Sequence, residues 1–149
     1  MKVYLASYAM MTMGKISKNE GGELAGKRAV FIPTAGDPYE NKDFVEADKI
    51  ALQKYGLEVT DLDLKNKTEK EINKSLAMAD ILLVAGGDTF YLMEKLKKSG
   101  ADRAIKNFIS RGGIYIGSSA GSIVCCPTIE GAEKFDNPNL APNLENFNG

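Results

Sequence analysis

Gly117-Ser118-Ser119-Ala120-Gly121 is a G-x-S-x-G run, and it follows directly on the apolar stretch Ile114-Tyr115-Ile116. A serine in this setting can stand on a sharp strand-to-helix turn with its hydroxyl exposed and backbone N–H groups beside it. Many hydrolases present a nucleophile to a carbonyl in this way. Ser119 is the central serine, and Ser118 is a competing hydroxyl at the variable position. Gly117 permits the tight approach, and Gly121 lets the following helix lie close to the sheet. The N–H of Ala120, at the start of that helix, points where negative charge builds during attack. Alone, the pattern is a weak signal; the preceding strand and the following Ser122-Ile123-Val124 strengthen it. Against it, the chain contains no histidine, so the usual general base is absent.

A second constellation is Gly86-Gly87-Asp88-Thr89, directly after Ile81 to Val84. Two glycines at the C-terminal end of a strand let a backbone N–H approach a ligand, and ligands of open α/β sheets bind at that edge. Gly87 is thus a candidate second donor of an oxyanion hole. Asp88 or Thr89 could also cap a helix, a role compatible with the first. The segment fits neither G-x-G-x-x-G nor the P-loop pattern, which argues against a nucleotide. Cys125 and Cys126 are adjacent and lack any histidine to lower a thiol pKa; they read as small, buried, inert residues. Asp61 and Asp63 have no third ligand in sight and read as a solvated strand end rather than a metal site.

These groups need a scaffold, and the apolar patterning supplies one. Val3 to Ala6, Ala29 to Ile32, Ile81 to Val84 and Ile114 to Ile116 are continuous apolar runs, the pattern of parallel strands buried on both faces. Leu57 to Leu64 alternates and belongs nearer an edge. Between the runs lie helices. Phe44, Ala47, Ala51 and Tyr55 share one face, with Gly56 as a stop. Thr68-Glu69-Lys70-Glu71 is a capping box ahead of Ile72, Leu76 and Ala79. A helix from about Thr89 buries Leu92, Met93 and Leu96. Ala101, Ala104, Ile105, Phe108 and Ile109 form a further stripe, ended by Gly112-Gly113. Residues 9–26 give no clear pattern, and Met10, Met11 and Met13 read as fillers of a core gap. The fold class is therefore α/β, a mainly parallel sheet flanked by helices. Asp136 to Gly149 reads as loop. Compact domains rarely end on such a stretch, so the expectation is a single domain over 1–149 that lacks its C-terminal part.

With 149 residues, 44% of them apolar, and a net charge of −1, the chain suits one soluble domain with no general attraction to nucleic acid or membranes. No apolar stretch approaches the ~20 residues of a membrane span, and a cytoplasmic location is the default expectation.

Taken together, Gly86-Gly87-Asp88-Thr89-Phe90, Tyr115-Ile116-Gly117-Ser118-Ser119-Ala120-Gly121 and Cys126-Pro127-Thr128-Ile129 resemble the dipeptidase E family of serine peptidases. Phe31-Ile32-Pro33 and the strand from Val3 to Ser7 fit it as well. The resemblance implies a flavodoxin-like fold related to class I glutamine amidotransferases, with Ser119 as nucleophile, Gly87 and Ala120 as oxyanion donors, a short peptide as substrate and no cofactor. It also implies a histidine in a strand beyond the loop that closes this chain, and an acid shortly after the Pro-Thr-Ile segment. Gapless alignment puts Lys134 at that position. Glu133 is nominated for the acid, with Glu130 and Asp136 as rivals. The expected function is a dipeptidase E-type serine peptidase, inactive as this isolated chain for want of the base. A cyanophycinase- or amidotransferase-like amide hydrolase and a non-catalytic binding module are the alternatives. A second polypeptide, either the C-terminal remainder or another copy, is the expected partner that completes the sheet.

Overall fold

A computed structural model describes residues 1–149. Five parallel strands form one sheet: β1 (Lys2–Ala6), β2 (Arg28–Ile32), β3 (Glu58–Asp61), β4 (Ile81–Val84) and β5 (Ile114–Ser118), in the order β1-β5-β4-β2-β3. Six helices connect or follow them: α1 (Ala9–Asn19), α2 (Asp43–Lys54), α3 (Glu69–Ala77), α4 (Thr89–Ser99), α5 (Ala101–Ser110) and the short α6 (Ala120–Ile123).

Side chains alternate across a strand, and this divides the apolar runs between two layers. Ala29, Phe31, Ile81, Leu83, Ile114 and Ile116 face α1 and α2. Val30, Ile32, Leu82, Val84 and Tyr115 face α3, α4, α5 and α6. The central strand β4 is fully buried along its length. The C-terminal ends of β4 and β5 lie side by side, with Val84 opposite Gly117. Both glycine-bearing turns therefore open onto the same edge of the sheet.

Local signals account for most boundaries. Thr68 accepts the N–H of Glu71 while Glu71 accepts the N–H of Thr68, which completes the capping box at α3. Gly100, at φ 75°, ends α4 and starts α5 without an intervening loop.

Four expectations are corrected. First, β1 is not buried on both faces. It is an edge strand whose Val3 and Leu5 are 36% and 54% exposed. Second, α2 buries Val45, Asp48, Ala51 and Leu52, with Tyr55 exposed. A buried carboxylate rotates the helix away from the purely apolar stripe. Third, only Met13 of the early methionines enters the core; Met10 and Met11 lie on the outer side of α1. Fourth, Cys125 and Cys126 are both exposed.

The tail is held in place rather than adrift. Its 3-10 turns span Glu130–Lys134 and Pro138–Leu140, and Thr128 bridges to Asn148. Its firmest polar anchor is Glu94 of α4, whose buried carboxylate accepts the N–H of Asn143 at 3.0 Å and the ammonium groups of Lys98 and Lys95 at 3.0 and 3.2 Å. Burial alone would raise the Glu94 pKa; the Asn143 N–H and the two lysines outweigh it and bring the group down to about 2. A carboxyl depressed in the folded state stabilises the fold above its ordinary pKa, and that contribution fades as pH falls toward the depressed value. Glu94→Gln is therefore expected to lower unfolding free energy by about 1–3 kcal/mol at pH 7. The gap to the parent chain should narrow between pH 5 and pH 3 in urea titrations.

Candidate active site

Ser119 joins β5 to α6 and carries φ 48°, ψ −109°. A positive φ is costly for a residue with a Cβ, on the order of 1–3 kcal/mol, and persists only where the surroundings over-determine it. Close glycine contacts supply that constraint. A Cβ on Gly121 would overlap the carbonyl of Val84, and one on Gly117 would overlap the backbone of Gly121. Without those side chains, α6 sits directly against the ends of β4 and β5.

Three hydroxyls near the turn have separate duties. Ser118 is buried, and its Oγ accepts the N–H of Ala9 at 3.1 Å, fixing the start of α1. Ser122 Oγ accepts the N–H of Ala6 at 2.9 Å and lies 2.8 Å from the carbonyl oxygens of both Ala6 and Gly117. Tyr115 donates its buried hydroxyl to the carbonyl of Gly121 at 2.6 Å. Ser119 alone is exposed, and its hydroxyl has no hydrogen-bond partner within the chain. Ser118, the competing hydroxyl, is thus buried and bonded, while Ser119 is neither.

Across from Ser119 runs the Gly86-Gly87 turn. A Cβ on Gly86 would come within 3.2 Å of the Ser119 Cβ, so these backbones are nearly in contact. Gly87 has φ 143°, and a side chain there would strike the carbonyl of Ala35. Both the conformation and the space demand glycine. The Gly87 N–H has no acceptor within the chain, whereas the neighbouring Asp88 N–H donates to Ala35 O at 2.9 Å. Asp88 also caps α4, accepting the N–H of Tyr91 at 2.8 Å. The turn thus caps α4 through Asp88 and leaves the Gly87 amide without an internal acceptor. Ala120 is buried and begins α6 directly behind Ser119.

A cleft of about 210 Å³ surrounds these groups. Ser7, Tyr8, Tyr39, Phe44, Asp48, Gly86, Gly87, Ser118, Ser119 and Asp136 line it. Of the three candidate acids, only Asp136 reaches the cleft. Glu133 and Glu130 lie exposed on the 3-10 turn, where Ala132 takes the inward position. Asp136 Oδ2 accepts the N–H of Thr89 at 3.1 Å, and Asp88 Oδ2 accepts the N–H of Asn137 at 2.7 Å. This reciprocal pair ties the tail to the glycine turn.

Asp48 carries no signal in the local pattern of residues. It is 1% exposed on α2, lines the cleft beside Ser118, and accepts the N–H of Met10 at 2.9 Å. Burial pushes its carboxyl up, while the Ser118 hydroxyl and the Met10 N–H pull it partly back. Tyr39 is raised by burial and by the nearby charges of Asp136 and Asp88. Asp61 and Asp63 lie outside the cleft and pair with Lys49 at 2.8 Å and Lys65 at 3.2 Å. No helix is long and apolar enough to cross a membrane.

The chain and its fold have counterparts among known proteins. The pattern of peptidase family S51 matches residues 7–149. An uncharacterized peptidase of Listeria innocua is 41% identical over 124 residues, covering 83% of this chain and 59% of that protein. Peptidase E of Shigella flexneri is 35% identical over 108 residues, 72% of this chain and 45% of that protein. The solved structure of a candidate peptidase E from Listeria monocytogenes superimposes with a TM-score of 0.94 at 37% identity, covering 99% of this chain and 72% of that one. The chain thus spans about half to two thirds of the length of most of these relatives. The family pattern spans nearly the whole chain and the fold agrees with it, so the chain belongs to peptidase family S51.

Proposed function

We propose that this chain carries the nucleophile and oxyanion half of a dipeptidase E-type serine peptidase acting on short peptides. One observation carries the reading: an exposed, unpartnered serine hydroxyl on a strained strand-to-helix turn, set against the glycine turn whose N–H is free. In the proposed reaction the Ser119 Oγ attacks the scissile carbonyl and forms a tetrahedral adduct. The N–H groups of Gly87 and Ala120 stabilise the oxyanion. Collapse of the adduct expels the amine and leaves an acyl group on Ser119, which water then removes. Proton transfer needs a base, and the chain has no histidine. Asp136 lines the cleft and Glu133 does not, which favours Asp136 as the carboxylate that orients such a base. Its bond to the Thr89 N–H holds it in position.

The size of the cleft favours a small substrate, and its wall of Tyr8, Tyr39 and Phe44 offers apolar surface with two hydroxyls. Asp48 supports the nucleophile indirectly, through Ser118 and the start of α1. The absence of histidine favours a second reading, a binding module that keeps the cleft without the chemistry.

Without the base, residues 1–149 should hydrolyse dipeptides no faster than the oxyanion site alone allows, a loss of several powers of ten. Added imidazole supplies a base from solution and discriminates the readings. Intact-mass analysis should show a fluorophosphonate adduct on Ser119 forming slowly, and at least tenfold faster with neutral imidazole present. Ser119→Ala should abolish the adduct. Gly87→Ala, which displaces the free N–H, should slow it by about 10²-fold or more. No adduct at Ser119 under any of these conditions supports the binding module instead.

Asp48 gives a separate check on the support beneath the turn. A buried carboxyl with a raised pKa stabilises the fold when protonated, and that contribution is lost as pH rises through the raised value. Asp48→Asn is expected to become progressively more favourable relative to the parent as pH rises from 4 to 7, measured by thermal melts.

A further inference from the structure

We propose that the groove between the β3–α3 loop and α4 is a binding site for a small anion carrying more than one phosphate or carboxylate group. The groove encloses about 450 Å³, more than the Ser119 cleft, and shares no lining residue with it. Lys65 and Lys67 line it from the loop, and Tyr91, Lys95 and Lys98 line it from the helix. The three helical residues share one face, because side chains three and four apart are neighbours. Asn66, between the two loop lysines, carries φ 57°, a left-handed conformation that asparagine tolerates. The turn leaves both lysines on the groove wall. No carboxylate lines the groove.

The lysines are held in place by acids outside the groove. Buried Glu94 accepts Lys95 and Lys98 at 3.2 and 3.0 Å, and half-buried Asp37 accepts Lys65 at 3.0 Å. Asp63 also pairs with Lys65 at 3.2 Å, whereas Lys67 comes only to 3.9 Å from Glu71. An ammonium group has more N–H donors than these bonds use, so each lysine keeps a donor for a ligand. Fixed partners also reduce the ordering cost of binding. Lys95 is further steadied over the Tyr91 ring, 4.7 Å from its centroid. The bonds to Asp37 and Asp63 raise the Lys65 pKa and keep that group charged. The same acids decide the class of ligand. They offset the lysines at a distance, and the chain's net charge is −1, so a long polyanion is not drawn in. The groove instead offers charge-assisted N–H bonds from two walls of a confined space. A compact anion with several charged oxygens engages many of them together; a monovalent one engages few.

The test is calorimetric titration of the chain with pyrophosphate, citrate and acetate at constant ionic strength. Pyrophosphate, citrate or both should bind at one site per chain, at least about tenfold tighter than acetate. The tighter of the two identifies phosphate or carboxylate as the preferred group. Amide resonances that shift on binding should cluster at residues 64–67 and 91–99. Lys67→Gln and Lys98→Gln should each weaken binding about fivefold or more. Lys98→Gln also takes a partner from Glu94, so its melting curve is recorded alongside; if the fold loosens, Lys67→Gln decides. Lys18→Gln, on α1 across the sheet, should have no effect. Absence of saturable binding by both multivalent anions, affinity no better than for acetate, shifts that cluster elsewhere, or an equal loss with Lys18→Gln would each overturn the proposal. The readout involves no hydrolysis, so this result and the labelling of Ser119 can fail independently.

Discussion

The site depends on a backbone conformation that Ser119 would not hold by itself. At φ 48° and ψ −109° the residue lies where side chains are seldom found. The surrounding structure keeps it there by leaving no room for alternatives. Gly117 and Gly121 let α6 settle onto the ends of β4 and β5, while Tyr115 holds the helix by the carbonyl of Gly121 and Ser122, from the helix, bonds the backbone of Ala6 and Gly117. Relaxing the turn would mean breaking those bonds and withdrawing α6 from the sheet. The strain is thus retained by packing, and its consequence is a hydroxyl that faces solvent between two fully buried neighbours.

The same economy governs the opposing turn. Gly87 is pressed against Ala35, so the loop cannot bulge outward, and its N–H stays directed away from internal acceptors. Asp88 and Asp136 then exchange backbone hydrogen bonds between this turn and the tail. A loop that looks irregular in isolation is thereby fastened to the cleft at one point and to Glu94 at another. Electrostatics follow from that closeness. Tyr39 is raised by burial and by the charges of Asp136 and Asp88, whereas Asp48 is raised by burial against the pull of its bonds to Ser118 and the Met10 N–H.

Much of this was legible in the sequence where a residue type has few physical uses. The apolar runs marked four of the five strands, and the glycines around Ser119 and at Gly86-Gly87 marked the turns. The capping box at Thr68 fixed the start of α3. Legibility failed where tertiary pairing overrides local character. Asp48 reads as a surface carboxylate, since nothing in α2 reveals that Met10 and Ser118 lie above it. Val3 and Leu5 read as buried because an apolar run looks the same at an edge as in the centre of a sheet. Among the tail acids, nothing in the spacing reveals which one reaches the cleft. The 3-10 turn points Ala132 inward and leaves Glu130 and Glu133 exposed, while Asp136 lines the cleft.

For the proposed chemistry to hold, Ser119 and the two amides must form one reactive centre. The most direct measurement is a crystal structure of residues 1–149 with a peptide boronic acid, which adds to a serine Oγ and mimics the tetrahedral adduct. The prediction is a covalent bond to Ser119 Oγ, with one boronate oxygen about 2.7–3.1 Å from the N–H groups of both Gly87 and Ala120. An adduct on Ser119 whose oxygens avoid Gly87, or an inhibitor bound to another residue, would contradict it.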